Sequence, residues 1–137
     1  PIWMLTRDGK LAAEQILARY TAWGFKPTYT ELWNEFDEWG RDELRERLRH
    51  VRIAGDILRA HGFPCGDNIA STGTLEDYEW RIAAEEGFGG MDVLFVHEYF
   101  SKNGFSTWNA LRYRRMHDIL NGNHPPIIVS ECGIDDV

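Results

Sequence analysis

The chain has 137 residues, 43% apolar and 13% aromatic, with a formal net charge of -7; this argues for one packed domain and against a disordered polypeptide. The acidic balance argues against nucleic acid or an anionic membrane as the main partner, because both call for a basic face, and it suits a neutral substrate. No apolar run approaches the roughly 18 residues of a membrane span, and no basic-then-apolar leader opens the chain.

In chain order, residues 1–5 are short and apolar and read as the end of a strand. Asp8-Gly9 is a turn signal. Over residues 11–23 the apolar positions Ala13, Ile16, Leu17, Tyr20 and Trp23 recur every three or four residues, one face of an amphipathic helix that Gly24 is placed to end. A second strand is expected over residues 28–34, within the partly apolar run Thr30-Glu31-Leu32-Trp33-Asn34-Glu35-Phe36. Residues 41–60 form a second helix with Leu44, Leu48, Val51, Gly55 and Leu58 as its buried stripe and an Arg-rich solvated remainder. His61-Gly62-Phe63-Pro64 stops it.

A short third strand is expected at 67–71. Thr74-Leu75-Glu76-Asp77 resembles a capping box opening a third helix, with Leu75, Tyr78 and Ile82 on one face and an end near Gly87. Residues 92–99 contain the continuous apolar run Val93-Leu94-Phe95-Val96, which suits a parallel strand covered on both sides. Ser106 or Thr107 can cap a fourth helix running to about Leu120, and Asn121-Gly122-Asn123 breaks it. Residues 126–130 form a last buried strand, Ile127-Ile128-Val129, followed directly by Glu131. Cys65 and Cys132 show no metal spacing and no disulfide framework; they read as two buried or half-buried free thiols.

Strand and helix alternate strictly, which predicts an α/β fold with a parallel sheet and right-handed crossovers. A doubly wound open sheet and a (β/α)8 barrel both fit this order, and in either one function belongs at the C-terminal ends of the strands. The chemistry-bearing residues fall there: Asn34-Glu35 after the second strand, His97-Glu98-Tyr99 at the end of the fourth, Glu131 after the fifth. Glu35 and Glu131 sit on strands n and n+3, far apart in an open sheet but able to face each other across the mouth of a closed barrel. Paired carboxylates therefore favour the barrel. Carboxyls ~5–5.5 Å apart suit a retaining glycosidase and ~6.5–9.5 Å an inverting one. One of the pair must stay protonated and the other ionised. His97 and Tyr99 alternate to one side of their strand, where the Tyr hydroxyl can donate to Glu131. Asn34 is placed to bond a sugar hydroxyl.

Trp33-Asn34-Glu35, His97-x-Tyr99 and Ser130-Glu131-Cys132-Gly133, in this order, resemble the ends of strands 4, 6 and 7 of the retaining glycoside hydrolases of clan A. The resemblance implies a partial TIM barrel and, in the full-length protein, cleavage of a β-linked glycan by double displacement. Glu35 would be the acid/base and Glu131 the nucleophile. Asn34, His97, Tyr99, Trp33 and Trp39 would contact or support the carbohydrate, with Phe36, Phe100 and Phe105 as further stacking candidates. No metal or cofactor is implied. Phe36 stands where many clan members have Pro, and Glu98 is an extra acid. Residues 1–137 would span one partial domain, from the end of strand 3 to just past strand 7. Strands 1, 2 and 8 would come from the rest of a longer chain or from another chain, since a typical barrel needs ~250 residues. Two other readings remain: a carbohydrate-binding or structural protein that keeps the fold without activity, and a metal-dependent barrel using His97, Glu98, Glu131 and Asp135. No His-x-His or His-Glu-x-x-His spacing supports the second of these.

Overall fold

The computed structural model describes residues 6–33, 41–69, 75–101 and 111–135. Helix α1 (Gly9–Trp23) begins where the Asp8 carboxylate accepts the Leu11 N–H at 2.9 Å, satisfying one of the donors that a helix start leaves open. Asp8-Gly9 therefore opens the helix instead of turning the chain ahead of it. Gly24 closes it in the left-handed conformation, φ 62°. Gly9 lies against the second helix so closely that a Cβ would sit 2.2 Å from the His50 carbonyl oxygen. The buried stripe is Gly9, Ala12, Ala13 and Ile16. Trp23, expected on that stripe, is 61% exposed: small residues in the first half of α1 make the close approach, and its last turn is left uncovered.

Helix α2 (Arg41–Ala60) buries Leu44, Leu48, Val51, Gly55 and Leu58 as the apolar period predicts. Its arginines do not form one solvated face. Arg47 is 2% exposed and its guanidinium pairs with Asp67 at 2.7 Å. A buried carboxylate on the adjoining strand draws this side chain inward, because neither charge could be buried without the other.

The remaining elements are β1 (Thr30–Glu31), β2 (Cys65–Asp67), α3 (Asp77–Glu85), a 3-10 turn (Gly87–Gly90), β3 (Val93–Ser101), α4 (Arg112–Ile119) and β4 (Ile127–Asp135). The strand expected from residue 67 thus starts at Cys65. Helix α3 is capped at Glu76, whose N–H donates to the Glu79 carboxylate at 2.7 Å; the Thr74 hydroxyl considered for that role lies outside the described residues. Trp80, Ile82 and Ala83 are its buried face, while Tyr78 is 49% exposed. The strand end expected at residues 1–5 and the cap at Ser106 or Thr107 also lie outside the described residues. Of the two free thiols, Cys65 is buried and Cys132 exposed.

All four strands run parallel in the order β1-β2-β3-β4, with α2, α3 and α4 as the connections. Leu32, Cys65, Leu94 and Val96 face the helices and pack in one core with Leu48, Leu58, Trp80, Ile82 and Met116. Val93, Phe95 and His97 alternate to the other face and are buried there as well. In a flat sheet of four strands the outer two would stand about 14 Å apart, three strand spacings. Ser130 Oγ on β4 nevertheless lies 3.3 Å from Glu31 Oε1 on β1. The sheet is therefore curled, a half-barrel, and of the two predicted architectures the partial barrel is the one observed.

Register breaks once between β3 and β4. Val96 pairs with Val129, but His97 pairs with Glu131, leaving Ser130 as the extra residue of a β-bulge. The strand continues past Glu131 to Asp135, so Glu131 lies inside β4 and does not follow it. Ile127-Ile128-Val129 is not the fully buried run that was expected: Val129 is 45% and Ile134 68% exposed. A run of this kind needs a neighbour on each side, and among the described residues β4 has only β3.

Candidate active site

Side-chain alternation along β3 decides the site. Leu94, Val96 and Glu98 turn toward the helices; Phe95, His97 and Tyr99 turn into the hollow of the curl. Tyr99 Oη donates to Glu131 Oε2 at 2.6 Å, the contact that the shared face of His97 and Tyr99 predicted. His97 is 1% exposed, and its Nδ1 lies 3.6 Å from the same Glu131 oxygen. The two rings meet edge to face, 6.4 Å between centroids at 87°, which holds the imidazole plane. The Glu131 side chain is 46% exposed. It therefore combines a buried polar wall behind it with solvent in front. Without the bulge, Ser130 would stand opposite His97, and Glu131 would belong to the other face of the sheet.

A second carboxylate also reaches this cluster. Glu31, on β1, places Oε1 at 3.4 Å from His97 Nε2 and 3.3 Å from Ser130 Oγ. Two strands lie between β1 and β4, so Glu31 and Glu131 approach His97 from strands n and n+3 across the curl; the expected pair of Glu35 with Glu131 lies outside the described residues. The pair described is Glu31 with Glu131. Glu31 and Ser130 stand in stretches quoted from the sequence, but neither is among the site residues expected from it. One signal was available for Glu31: it stands between Thr30 and Leu32, and alternation with a buried Leu32 aims it at the opposite, inner face. Glu is also depleted in strands. Ser130 gave no signal, because a bulge cannot be read from its residue type.

Of the other expected site residues, Asn34, Glu35, Phe36, Trp39 and Phe105 lie outside the described residues, and Phe100 pairs with Ile134 within the sheet. Trp33 is not at the mouth. It is 6% exposed in the core, its indole N–H donating to the Thr6 carbonyl at 3.0 Å. Its backbone N–H donates to Asp67 Oδ1 at 3.1 Å, and Arg47 Nε donates to Asp67 Oδ2 at 2.9 Å. The chain entering Asn34 is thereby pinned to β2 and α2. Burial pushes the Asp67 carboxyl above its ordinary value, opposed by the Arg47 guanidinium and the Trp33 N–H.

Glu98 is 5% exposed on the helix side. It accepts the backbone N–H of Leu111, which enters α4 in the left-handed region, φ 59°. Burial raises the Glu98 carboxyl above its ordinary value, and the Leu111 N–H works against that. Since Glu98 faces away from His97 and Glu131, the metal set considered from sequence is not brought together. Cys65, on the helix side of β2, has its thiol pushed up to about 12 by burial, and a protonated thiol is a poor nucleophile.

No protein-family model, no curated protein and no solved structure matches the chain. The site is a half-exposed carboxylate oriented by a phenol, set beside a buried histidine flanked by a second carboxylate. Such a group can attack an electrophilic carbon or stabilise developing positive charge beside it.

Proposed function

We propose that this chain carries part of the active site of a retaining glycoside hydrolase that cleaves a β-linked glycan, in the manner of the clan A enzymes it resembles. The observation that carries the reading is the Tyr99–Glu131 hydrogen bond of 2.6 Å at the inner face of a curled parallel sheet. A nucleophilic carboxylate needs one oxygen held and the other aimed, and both contacts that Glu131 makes among the described residues fall on Oε2. In this mechanism Glu35 protonates the leaving glycosidic oxygen while Glu131 attacks the anomeric carbon. Glu35 then takes a proton from water, and that water displaces Glu131 from the sugar. Asn34 bonds a substrate hydroxyl, Trp39 stacks on a sugar ring, and His97 and Tyr99 support Glu131. No metal or cofactor takes part. Further strands, from a longer chain or from another chain, continue the sheet beyond β1 and β4 in the active barrel.

The test is hydrolysis of aryl β-glycosides by the complete barrel protein. Glu131→Gln is expected to abolish turnover, and Glu35→Gln to lower it by about 10²–10⁴-fold for substrates with a poor leaving group. Unchanged hydrolysis in Glu131→Gln overturns the assignment. Glycan binding with no hydrolysis by the unmodified protein would favour the carbohydrate-binding alternative.

A further inference from the structure

Among the described residues, His97 is the most enclosed ionisable group of the inner face. Its side chain has no exposure, and its two ring nitrogens each face a carboxylate oxygen, Nε2 toward Glu31 at 3.4 Å and Nδ1 toward Glu131 at 3.6 Å. A neutral imidazole carries a proton on only one nitrogen, so it would turn a lone pair toward one of these carboxylates. An imidazolium turns an N–H toward both. The ionisable groups that face His97 among the described residues are Glu31 from β1, Glu131 from β4 and the Tyr99 phenol on its own strand. Between them, β2 turns Cys65 and Asp67 to the helix side. Gly66, next to them, has no side chain, and a Cβ there would lie 1.9 Å from the Val93 carbonyl oxygen. Side chains of alternate strands can share one layer of a barrel interior, and this is how Glu31 reaches past β2.

We infer that Glu31 is a positioning residue of this site: with Ser130 fixing its carboxylate, it holds His97 as an imidazolium that orients Glu131. Glu31 makes no contact with substrate in this role. It acts through His97, which directs an N–H at the Glu131 oxygen already held by Tyr99, so that the other oxygen is the one presented for attack. The inference rests on the glycoside hydrolase reading for its catalytic meaning, but the coupling of Glu31 to His97 can be measured without turnover.

The experiment follows the ring nitrogens of His97 by NMR against pH in the full chain with isotope-labelled histidine. Glu31→Gln keeps the shape and removes the charge. The His97 midpoint is expected to fall by about 1 unit or more, the effect of losing an opposite charge within 4–6 Å, while amide signals remote from the site stay in place. A midpoint that does not move overturns the inference. If Glu31→Gln does not fold, Ser130→Ala replaces it: releasing the Glu31 carboxylate must lower the midpoint, and an unmoved value overturns the inference equally. In the complete barrel protein, Glu31→Gln is expected to lower kcat with little change in KM and to move the alkaline limb of the pH profile to lower pH. If Glu131→Gln leaves hydrolysis intact while the His97 midpoint still responds to Glu31, the hydrolase reading fails and the coupling stands. If hydrolysis needs Glu131 but His97 ignores Glu31, the inference fails and the hydrolase reading stands.

Discussion

His97 and Glu98 are consecutive on β3 and both are buried, but the pleat sends them to opposite faces and different chemistry. His97 meets two carboxylates. Among the described residues Glu98 accepts the Leu111 N–H, and burial raises its carboxyl above the ordinary value. A carboxyl raised in the folded state binds its proton more tightly there than in the unfolded chain. Its contribution is therefore fully present below the unfolded value and is lost as pH rises through the folded one. Glu98→Gln keeps an acceptor for Leu111 and removes the titration. We expect denaturant unfolding at pH 4 and pH 7 to show the variant gaining on the unmodified protein at the higher pH; an equal difference at both would sink the assignment. At this scale the sequence was legible where alternation alone decides, as with His97 and Tyr99 on one face of β3; that Glu131 meets them depends on the bulge. Glu31 lay between an alternating Thr and Leu and carried the same information. What could not be read was Ser130, because a bulge depends on a neighbouring strand, not on its own residue.

Helices were the most legible elements, since a period of 3.6 repeats often enough to average out exceptions: α2 spans the 20 residues that were expected, and its apolar stripe is the buried one. Where a single residue had to be placed, as with Trp23, Tyr78 or Trp33, the local period could not say which part of an element another one covers. Arg47 is the clearest case. Its helix is Arg-rich and reads as solvated, yet one arginine crosses to Asp67 and ties α2 to β2, while Asp67 also holds the backbone of Trp33. Removing one partner of a buried pair leaves the other charge uncompensated, at a cost of about 3–5 kcal/mol. Arg47→Met is expected to lose that much at pH 7 and less at pH 4. Without the guanidinium the Asp67 carboxyl rises further above its unfolded value, so protonation relieves the folded state at low pH and the penalty grows as pH rises. A loss that is the same at both pH values would mean that packing, not charge, is what Arg47 contributes.

The two sides of the curled sheet differ in what they leave open. β1 has two residues and β4 has nine, and among the described residues neither has a strand on its outer side. A very short edge strand offers little for another chain to pair with, whereas a long one carrying apolar side chains is a template for association. On β4 those side chains are Val129 and Ile134, 45% and 68% exposed. The sequence reads Ile127-Ile128-Val129 as covered, because a run of three apolar residues cannot tell a strand that has a partner from one that awaits it. The chain alone is expected to self-associate through β4 as concentration rises. Val129→Lys combined with Ile134→Lys should keep it monomeric in light scattering, since a charge on an edge strand resists pairing, and should leave its unfolding midpoint nearly unchanged because both positions are already solvated. Equal association with and without the two lysines would place the contact elsewhere. Association abolished, with the Tyr99–Glu131 contact still intact by NMR, would separate what the open edge does from what the inner face does: the curl that assembles Glu31, His97 and Glu131 is internal to these four strands, and a partner on the edge of β4 is not needed to build the cluster.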